Sequence, residues 1–486
     1  MKRKIIKKLL FLLIVDLLFF IFGCKYHFQN FNNFENDICE QERKERLIEI
    51  ALTGEWKSTE QEVQNAIITS LENNNRTAKA NNIIINKINE SSIPIKVKPN
   101  ANRSALIDEC EEVNFELYSI KIDDADLYVV SSDDKRIGNV LAIVESQFSN
   151  DISHDDFSIM FAERLNNYVL NTAEEWNSIT ERDITDYQAR TANKEIVNSG
   201  KYVYSSWKKN SGNKKCQIPV NWNQNPSPYN TCLKAVKGEK GNYVGCGAIQ
   251  VAQIMAFHKY QKSNKSPNLT LIKKKWSQAK KWNGKYDFSL LTSVKDPDIF
   301  SSENLRIQLG AFLFDVAEGC KSEYHSNGTT TYEKNRLEYL QSQGYTYTNT
   351  SDYSFSKIKA SLNAGCPVPI CGQSKKIVTT TTHQFLWWTW TTTNTSYSDG
   401  HAFIIDGYYN MTCTATNGKN KITITDNFVH CNPGWGGIGN GYYLSGVFNY
   451  NVGELVDDSG IRSVKGTDYY YQYKLSQTNM LKPAGK

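Results

Sequence analysis

An α+β fold in two parts is predicted by three features of the 486-residue sequence. An apolar run opens at Cys246 and continues to Tyr260, two strand-like segments flank Asn417-Gly418, and three more lie between residues 115 and 144. In the apolar run Ala248, Val251, Ala252 and Met255 fall at i, i+3, i+4 and i+7, while Ile249 and Ile254 leave little polar surface, so the run reads as a buried helix. Ala402 to Tyr408 and the alternating Lys421-Ile422-Thr423-Ile424-Thr425 read as an antiparallel hairpin closed by a tight Asn-Gly turn. A chain of this length holds two or three domains, each with its own core.

From the N-terminus, Met1-Lys2-Arg3-Lys4 through Lys8 is basic and Leu9 to Phe22 is apolar. Ile21-Phe22-Gly23-Cys24 resembles a bacterial lipobox, with Cys24 as the lipidated residue and residues 1–23 as a lipoprotein-type signal peptide. Phe22 is bulkier than usual at its position, and Asp16 interrupts the apolar run. The fourteen residues Leu9 to Phe22 fall short of a membrane span and no later run is long enough, so the remainder is expected to be soluble and exported. Lys25 and Tyr26 follow the cysteine with no Asp, which by analogy with Gram-negative lipoproteins suits an outer-membrane or cell-surface address. A plain signal peptide, which would release the protein, and an uncleaved anchor are the alternatives.

Residues 25 to about 100 are rich in Asn, Lys, Glu and Ile, with helical stretches at Glu40 to Leu52 and Thr59 to Leu71. Phe115 to Ile120 and Leu127 to Asp134 read as two paired strands, and Asn139 to Val144 as a third. The polar segment from Asp186 to Lys215, broken by Asn210-Ser211-Gly212-Asn213, is expected to join a first part, residues 24–205, to a second, residues 206–486. The 56 Lys+Arg nearly balance the 51 Asp+Glu, and no dense basic block follows the first residues, so nucleic acid is not an expected partner.

The chemistry centres on two residues. Cys246 stands between Gly245 and Gly247 where the chain turns into the buried helix, so its sulfur is expected at the positive end with backbone amides nearby to hold an oxyanion. A thiol is a good nucleophile that lacks charge at neutral pH, and a helix N-terminus and an imidazolium supply it by lowering the pKa. His401 opens the strand-like stretch after Asp399-Gly400 and is the expected base; the alternatives are that Cys246 is a small buried thiol of a core helix and His401 a surface or satisfied strand histidine. Among the other histidines, His258 lies too far along the helix, His154 and His27 are in the N-terminal part, and His325, His383 and His430 read as loop residues. Of eleven cysteines, nine remain beside Cys24 and Cys246; an exported chain can pair some, and the odd number leaves at least one free or paired between molecules. No Cys-x-x-Cys occurs and His430-Cys431 lacks a partner set, so no metal or other cofactor is expected.

The block Val244 to Tyr260 resembles the nucleophile motif of the streptopain family of papain-like cysteine peptidases. Further blocks resemble that family in order: Trp222-Asn223-Gln224 with Pro228-Tyr229-Asn230, Tyr324 to Thr330, Gly400 to Tyr408, and Asn432-Pro433-Gly434-Trp435-Gly436-Gly437 ahead of Asn440-Gly441-Tyr442-Tyr443. The resemblance covers about half the chain. It implies a papain-like domain with a helical part and an antiparallel β part over residues 206–486, with Cys246 and His401 catalytic. It further implies that Gln224 helps form the oxyanion hole, that Asn432 or its neighbourhood orients the imidazole beside Trp435, and that Thr329 and Gly400 border the substrate cleft. Residues 24–205, with their strand-rich stretch near 115–145, resemble the family's propeptide, which covers the cleft as an intramolecular inhibitor. Protein or peptide substrates follow, as does membrane attachment through a lipid on Cys24.

Four departures bear on activity. Pro433 stands where the family has a tryptophan, Gly247 where a larger residue is common, and Thr329 where a serine contacts substrate. Between Cys371 and Gly400 the chain inserts a threonine-rich segment around Leu386-Trp387-Trp388-Thr389-Trp390, which reads as a β-hairpin or as an exposed patch or lid. These leave two rivals to a peptidase: a Cys-His acyltransferase on the same scaffold, and a surface lipoprotein with an impaired site that acts as a binding module.

Overall fold

A computed structural model describes residues 43–73, 83–97, 109–122, 125–145, 156–190, 202–210, 214, 218–326, 328–373, 381–385, 388–392, 401–418, 420–449 and 474–485. Cys24 and the residues before it, Gly400 and much of the insertion lie outside the described residues.

Helices α1 (43–53) and α2 (Glu60–Asn73) precede an antiparallel meander of β1 (Ile83–Val97), β2 (Glu109–Ile122), β3 (Ala125–Ser132) and β4 (Val140–Val144). Helices α3 (Asp156–Ser178) and α4 (Glu181–Arg190) and the short strands β5 (Val203–Tyr204) and β6 (Lys208–Lys209) follow. A helical half comes next: α5 (Thr231–Lys237), α6 (Cys246–His258), α7 (Leu269–Lys275), α8 (Phe288–Leu291) and α9 (Glu303–Gly319). The hairpin β7 (Glu323–His325) and β8 (Gly328–Thr330) leads to α10 (Glu333–Ser342), β9 (Tyr345–Thr346), β10 (Asn349–Asp352) and α11 (Phe355–Asn363). The chain ends in β11 (Val368–Gln373), the hairpin β12 (Thr381–Phe385) and β13 (Trp388–Thr392), β14 (Ala402–Asn417), β15 (Asn420–Asn432), β16 (Gly441–Leu444), α12 (Gly446–Asn449), β17 (Lys474–Asn479) and β18 (Lys482–Pro483).

One antiparallel sheet runs through both parts in the order β1-β2-β3-β4-β16-β15-β14-β11-β17-β10, with β5 and β6 also on β14. The join is β4 against β16, where Val144, Ile143 and Ala142 face Gly441, Tyr442 and Tyr443. Strand β11 covers only the first residues of β14, Ala402 to Ile405, on one edge while pairing with β17 on its other, and β5 and β6 cover β14 further along, at residues 411–416. This pairing protects an edge that would otherwise be exposed.

Two cores result. One spans α1 to α3, the meander and the C-terminal strands; the other surrounds α6, whose residues from Gly247 to Ala256 are all buried. Along β14 Phe403 and Ile405 belong to the first core and Ile404 to the second, as the alternation of a strand requires. A helix apolar on every side must be central, and α6 packs on α9, α10 and β14.

The expected α+β class is observed. Helix α6 stops at His258, with Lys259 at a positive φ of 47°. The expected hairpin is present and longer than its apolar alternation, with Asn417 facing Asn420 across the turn. His325, His383 and His430 are strand residues, in β7, β12 and β15, and not loop residues; Thr382 and Gln384 hide the pattern at His383, the strand at His325 is only three residues long, and His430 follows the apolar pair Phe428-Val429, which does mark a strand. Two elements carried no clear signal: β1, an edge strand rich in Asn, Lys and Ser, and α3. Within the insertion β12 and β13 form a separate two-stranded sheet.

The first part is bolted to the second by a buried ion pair. Arg46 of α1 reaches Asp426 of β15 at 3.0 Å, and two further donors, on Nη1 and Nη2, go to the carbonyls of Arg136 and Lys135. Asp426 is 2 % exposed; burial pushes its carboxyl pKa up, and the charge and hydrogen bond of Arg46 oppose that shift. Removing the cation leaves the carboxylate uncompensated. Arg46→Ala is expected to cost about 3–5 kcal/mol of stability at neutral pH in denaturant unfolding. A carboxyl with a raised folded pKa stabilises below its unfolded value and loses that contribution as pH rises, so the deficit should shrink on acidification as Asp426 takes up a proton. A deficit independent of pH would contradict this assignment.

Candidate active site

Gly245, at a positive φ of 94°, is the N-cap of α6, and its carbonyl accepts the first helical bond, from the amide of Ile249 at 3.0 Å. Only a residue without a Cβ adopts that conformation freely, so the glycine turns the chain and leaves Cys246 at the positive helix end. Cys246 is partly exposed, unlike the buried residues that follow it. The amide of Ala402 points at its sulfur, 3.5 Å away. The thiol therefore sits beside the residue that follows His401.

A single side chain holds this register. The carboxamide of Gln250, one turn into α6 and 4 % exposed, donates to the carbonyls of Ile370 at 2.8 Å and Phe403 at 2.6 Å. It ties the nucleophile helix to β11 and β14 together. A polar residue four positions after the cysteine, inside an apolar run, was the available sequence signal for it.

His401 lies at the mouth of β14, its own carbonyl accepting from Gly372 at 2.9 Å. The ring is 1 % exposed, and Nε2 lies 2.8 Å from the Pro433 carbonyl. A carbonyl only accepts, so Nε2 carries the proton and Nδ1 holds the lone pair that can serve a thiol. The ring of Trp435 lies parallel to the imidazole, at 9° and 6.3 Å between centroids. Phe157 of α3 meets it edge-on at 5.9 Å and also packs on Phe403 and Tyr443. Sequence reasoning had no signal for Phe157, which lies in a different part of the chain.

Asn432 acts one step back. Its Oδ1 accepts from the Gly434 amide at 3.1 Å, and its Nδ2 donates to the Val220 carbonyl and to Gln253, each at 3.3 Å. Those bonds brace the turn that presents the Pro433 carbonyl. The tryptophan-to-proline departure thus leaves the orienting group in place, because that group is backbone oxygen.

Gln224 is 5 % exposed; its carbonyl accepts from Val244 at 2.8 Å, two residues before the nucleophile, and its Nε2 is buried without a partner among the described residues. A buried amide donor left open beside the nucleophile turn is suited to a developing oxyanion. Thr329 uses its hydroxyl on the Tyr243 carbonyl at 2.6 Å and borders Gly245, where a Cβ would lie 3.0 Å from its own Cβ.

The seven described cysteines whose sulfur is placed are free thiols. Burial pushes up the thiols of Cys232, Cys320, Cys366, Cys371, Cys413 and Cys431, which makes them poor nucleophiles. His430 is spent on a structural pair: Nδ1 lies 2.5 Å from Asp406, whose other oxygen accepts from Ile218 at 3.1 Å. Asp406 is the extra residue of a bulge between Ile405 and Gly407, which aims it at His430.

Residues 222–443 match the model of the Peptidase C10 family. No curated protein matches the chain. Among solved structures, a fragment of prointerpain A from Prevotella intermedia, mutated at one cysteine, is 15 % identical, covering 80 % of this chain and 98 % of that one at a TM-score of 0.43. The active wild-type interpain A cysteine protease of Prevotella intermedia is 17 % identical, covering 55 % of this chain and 94 % of that one at a TM-score of 0.32. Residues 222–443, which carry Cys246, His401, Gln224 and the Trp435 loop, are thus similar to the Peptidase C10, or streptopain, family of cysteine peptidases.

Proposed function

We propose that the chain is an exported cysteine endopeptidase made as a zymogen. The observation that carries this reading is the Cys246 sulfur 3.5 Å from the Ala402 amide, next to an imidazole whose Nε2 is held by the Pro433 carbonyl. In the proposed reaction the Cys246 thiolate attacks a peptide carbonyl, forming a sulfur–carbon bond and an oxyanion received by the Cys246 amide and Gln224. His401 then protonates the leaving amine as the carbon–nitrogen bond breaks. The thioester is hydrolysed by water that gives its proton to His401, and the thiol is restored. Thr329 and Gly400 border the cleft that takes the protein or peptide substrate.

Residues 24–205 act as the inhibitory first part and 206–486 as the enzyme. Phe157 supports this, since a ring packed on an imidazole that is 1 % exposed keeps water and substrate from it. The lipobox-like Ile21-Phe22-Gly23-Cys24 supports export and attachment through a lipid on Cys24 at the outer membrane or cell surface. The rival reading as a binding module rested on Pro433, and its carbonyl supplies the contact to His401.

The full chain, produced in a Gram-negative host, should process itself and cleave casein under reducing conditions, and Cys246→Ala should do neither. Gln224→Ala should fold and lose roughly 10²–10³-fold in kcat. Cys24→Ser should move the protein from the membrane to the soluble fraction. An inert wild type, or a Cys246→Ala chain as active as wild type, would overturn the enzyme reading; an unmoved Cys24→Ser chain would overturn only the lipid anchor.

A further inference from the structure

A buried cation lies against the nucleophile turn, and the scheme above does not use it. Arg336, on α10, is 3 % exposed, and its Nε finds no hydrogen-bond partner among the described residues. A methyl placed on Gly247 would sit 2.9 Å from the Thr331 Cβ and 3.0 Å from Nη1 and 3.1 Å from Cδ of Arg336, so the guanidinium, beside Thr331, rests on the residue that follows Cys246. This contact gives the small residue at 247 a reason: a side chain there would take the space of the guanidinium.

A guanidinium does not lose its proton, and a buried one needs a counter-charge. Burial works against the charge of Arg336, while Cys371, then Cys246, then Glu333 favour it. Cys371, on β11, lines the same pocket as Arg336 and Glu333, but burial pushes its own thiol up, so near neutral pH it is not an anion. Cys320, after α9, is likewise pushed up to about 12 by burial, with Arg336 opposing. Glu333, one turn earlier on α10, is held by the Ser476 hydroxyl at 2.9 Å. The anions left to balance Arg336 are Glu333 and the sulfur of Cys246, which also receives the Ala402 amide.

We propose that Arg336 is a positioning residue of the active site, a buried cation seated against Gly247 and beside Cys371 that biases Cys246 toward its thiolate. Its field adds to that of the α6 N-terminus, and Glu333 offsets part of it. The proposal rests on the peptidase reading of Cys246.

The test is the pH profile of iodoacetamide alkylation of Cys246 in the full chain, followed by peptide mass spectrometry, which separates this sulfur from the other cysteines. Wild type should alkylate with a midpoint well below the ordinary thiol value of about 8.5. Arg336→Met should raise the midpoint by about one pH unit, a roughly tenfold slower alkylation below it. Arg336→Lys should fall between them, and Glu333→Gln should shift the midpoint down. A folded Arg336→Met chain with the wild-type midpoint overturns the proposal. Should that variant not fold, Lys and Gln variants that both keep the wild-type midpoint overturn it. A wild-type midpoint at the ordinary thiol value overturns the peptidase reading and the proposal together, whereas a low wild-type midpoint unmoved by substitution overturns the proposal alone.

Discussion

The two hydrogen bonds of the Gln250 carboxamide are the constraint on which the site depends. The protein has two cores, one around α6 and one on the far face of the sheet, and Gln250 crosses between them to the carbonyls of Ile370 and Phe403. Losing that side chain would leave two buried carbonyls open at about 1–3 kcal/mol each, a steep penalty for sliding α6 along the sheet. The cysteine lies one turn before Gln250 and the histidine two residues before Phe403. Fixing the middle of the helix to the strands therefore fixes the sulfur against the Ala402 amide. The seat of the Cys246 sulfur beside Ala402 is a consequence of helix-to-sheet register.

The same sheet explains how the first part of the chain reaches the site. Because β4 continues the sheet past β16, α3 comes to lie over the strands that carry His401, with Phe157 on the imidazole and Met160 near Gly372. The join is reinforced where Glu145 donates its amide to Asn440 at 2.8 Å and Arg46 pairs with Asp426. Polar bonds at the border and an apolar cap over the ring are a combination that holds the parts together while the two sequences differ in character.

What the sequence made legible follows from where signals are local. The nucleophile helix was readable because a helix apolar on all sides, opened by two glycines, has one interpretation. The β14–β15 hairpin was readable because Asn417-Gly418 sits between alternating segments. The hidden elements had weak local signals: β1 is an exposed edge whose polar residues face solvent, and the strand that carries His383 is built mostly from polar residues. In the site, Asn432 was legible as a residue near the imidazole, but the atom that touches the ring is the carbonyl of Pro433, and backbone atoms leave no trace in residue identity. Phe157 and Arg336 were illegible for a related reason, since each meets the site only through tertiary packing from a distant segment.

The central claim is that Cys246 and His401 form one reactive pair, and active-site labelling tests it most directly. The reduced, self-processed protein is treated with an epoxide inhibitor of papain-like enzymes and the modified residue is mapped by peptide mass spectrometry. The account predicts about one label per chain, on Cys246, and its loss in His401→Ala. Labelling of another cysteine, or of Cys246 at an undiminished rate without His401, would contradict it.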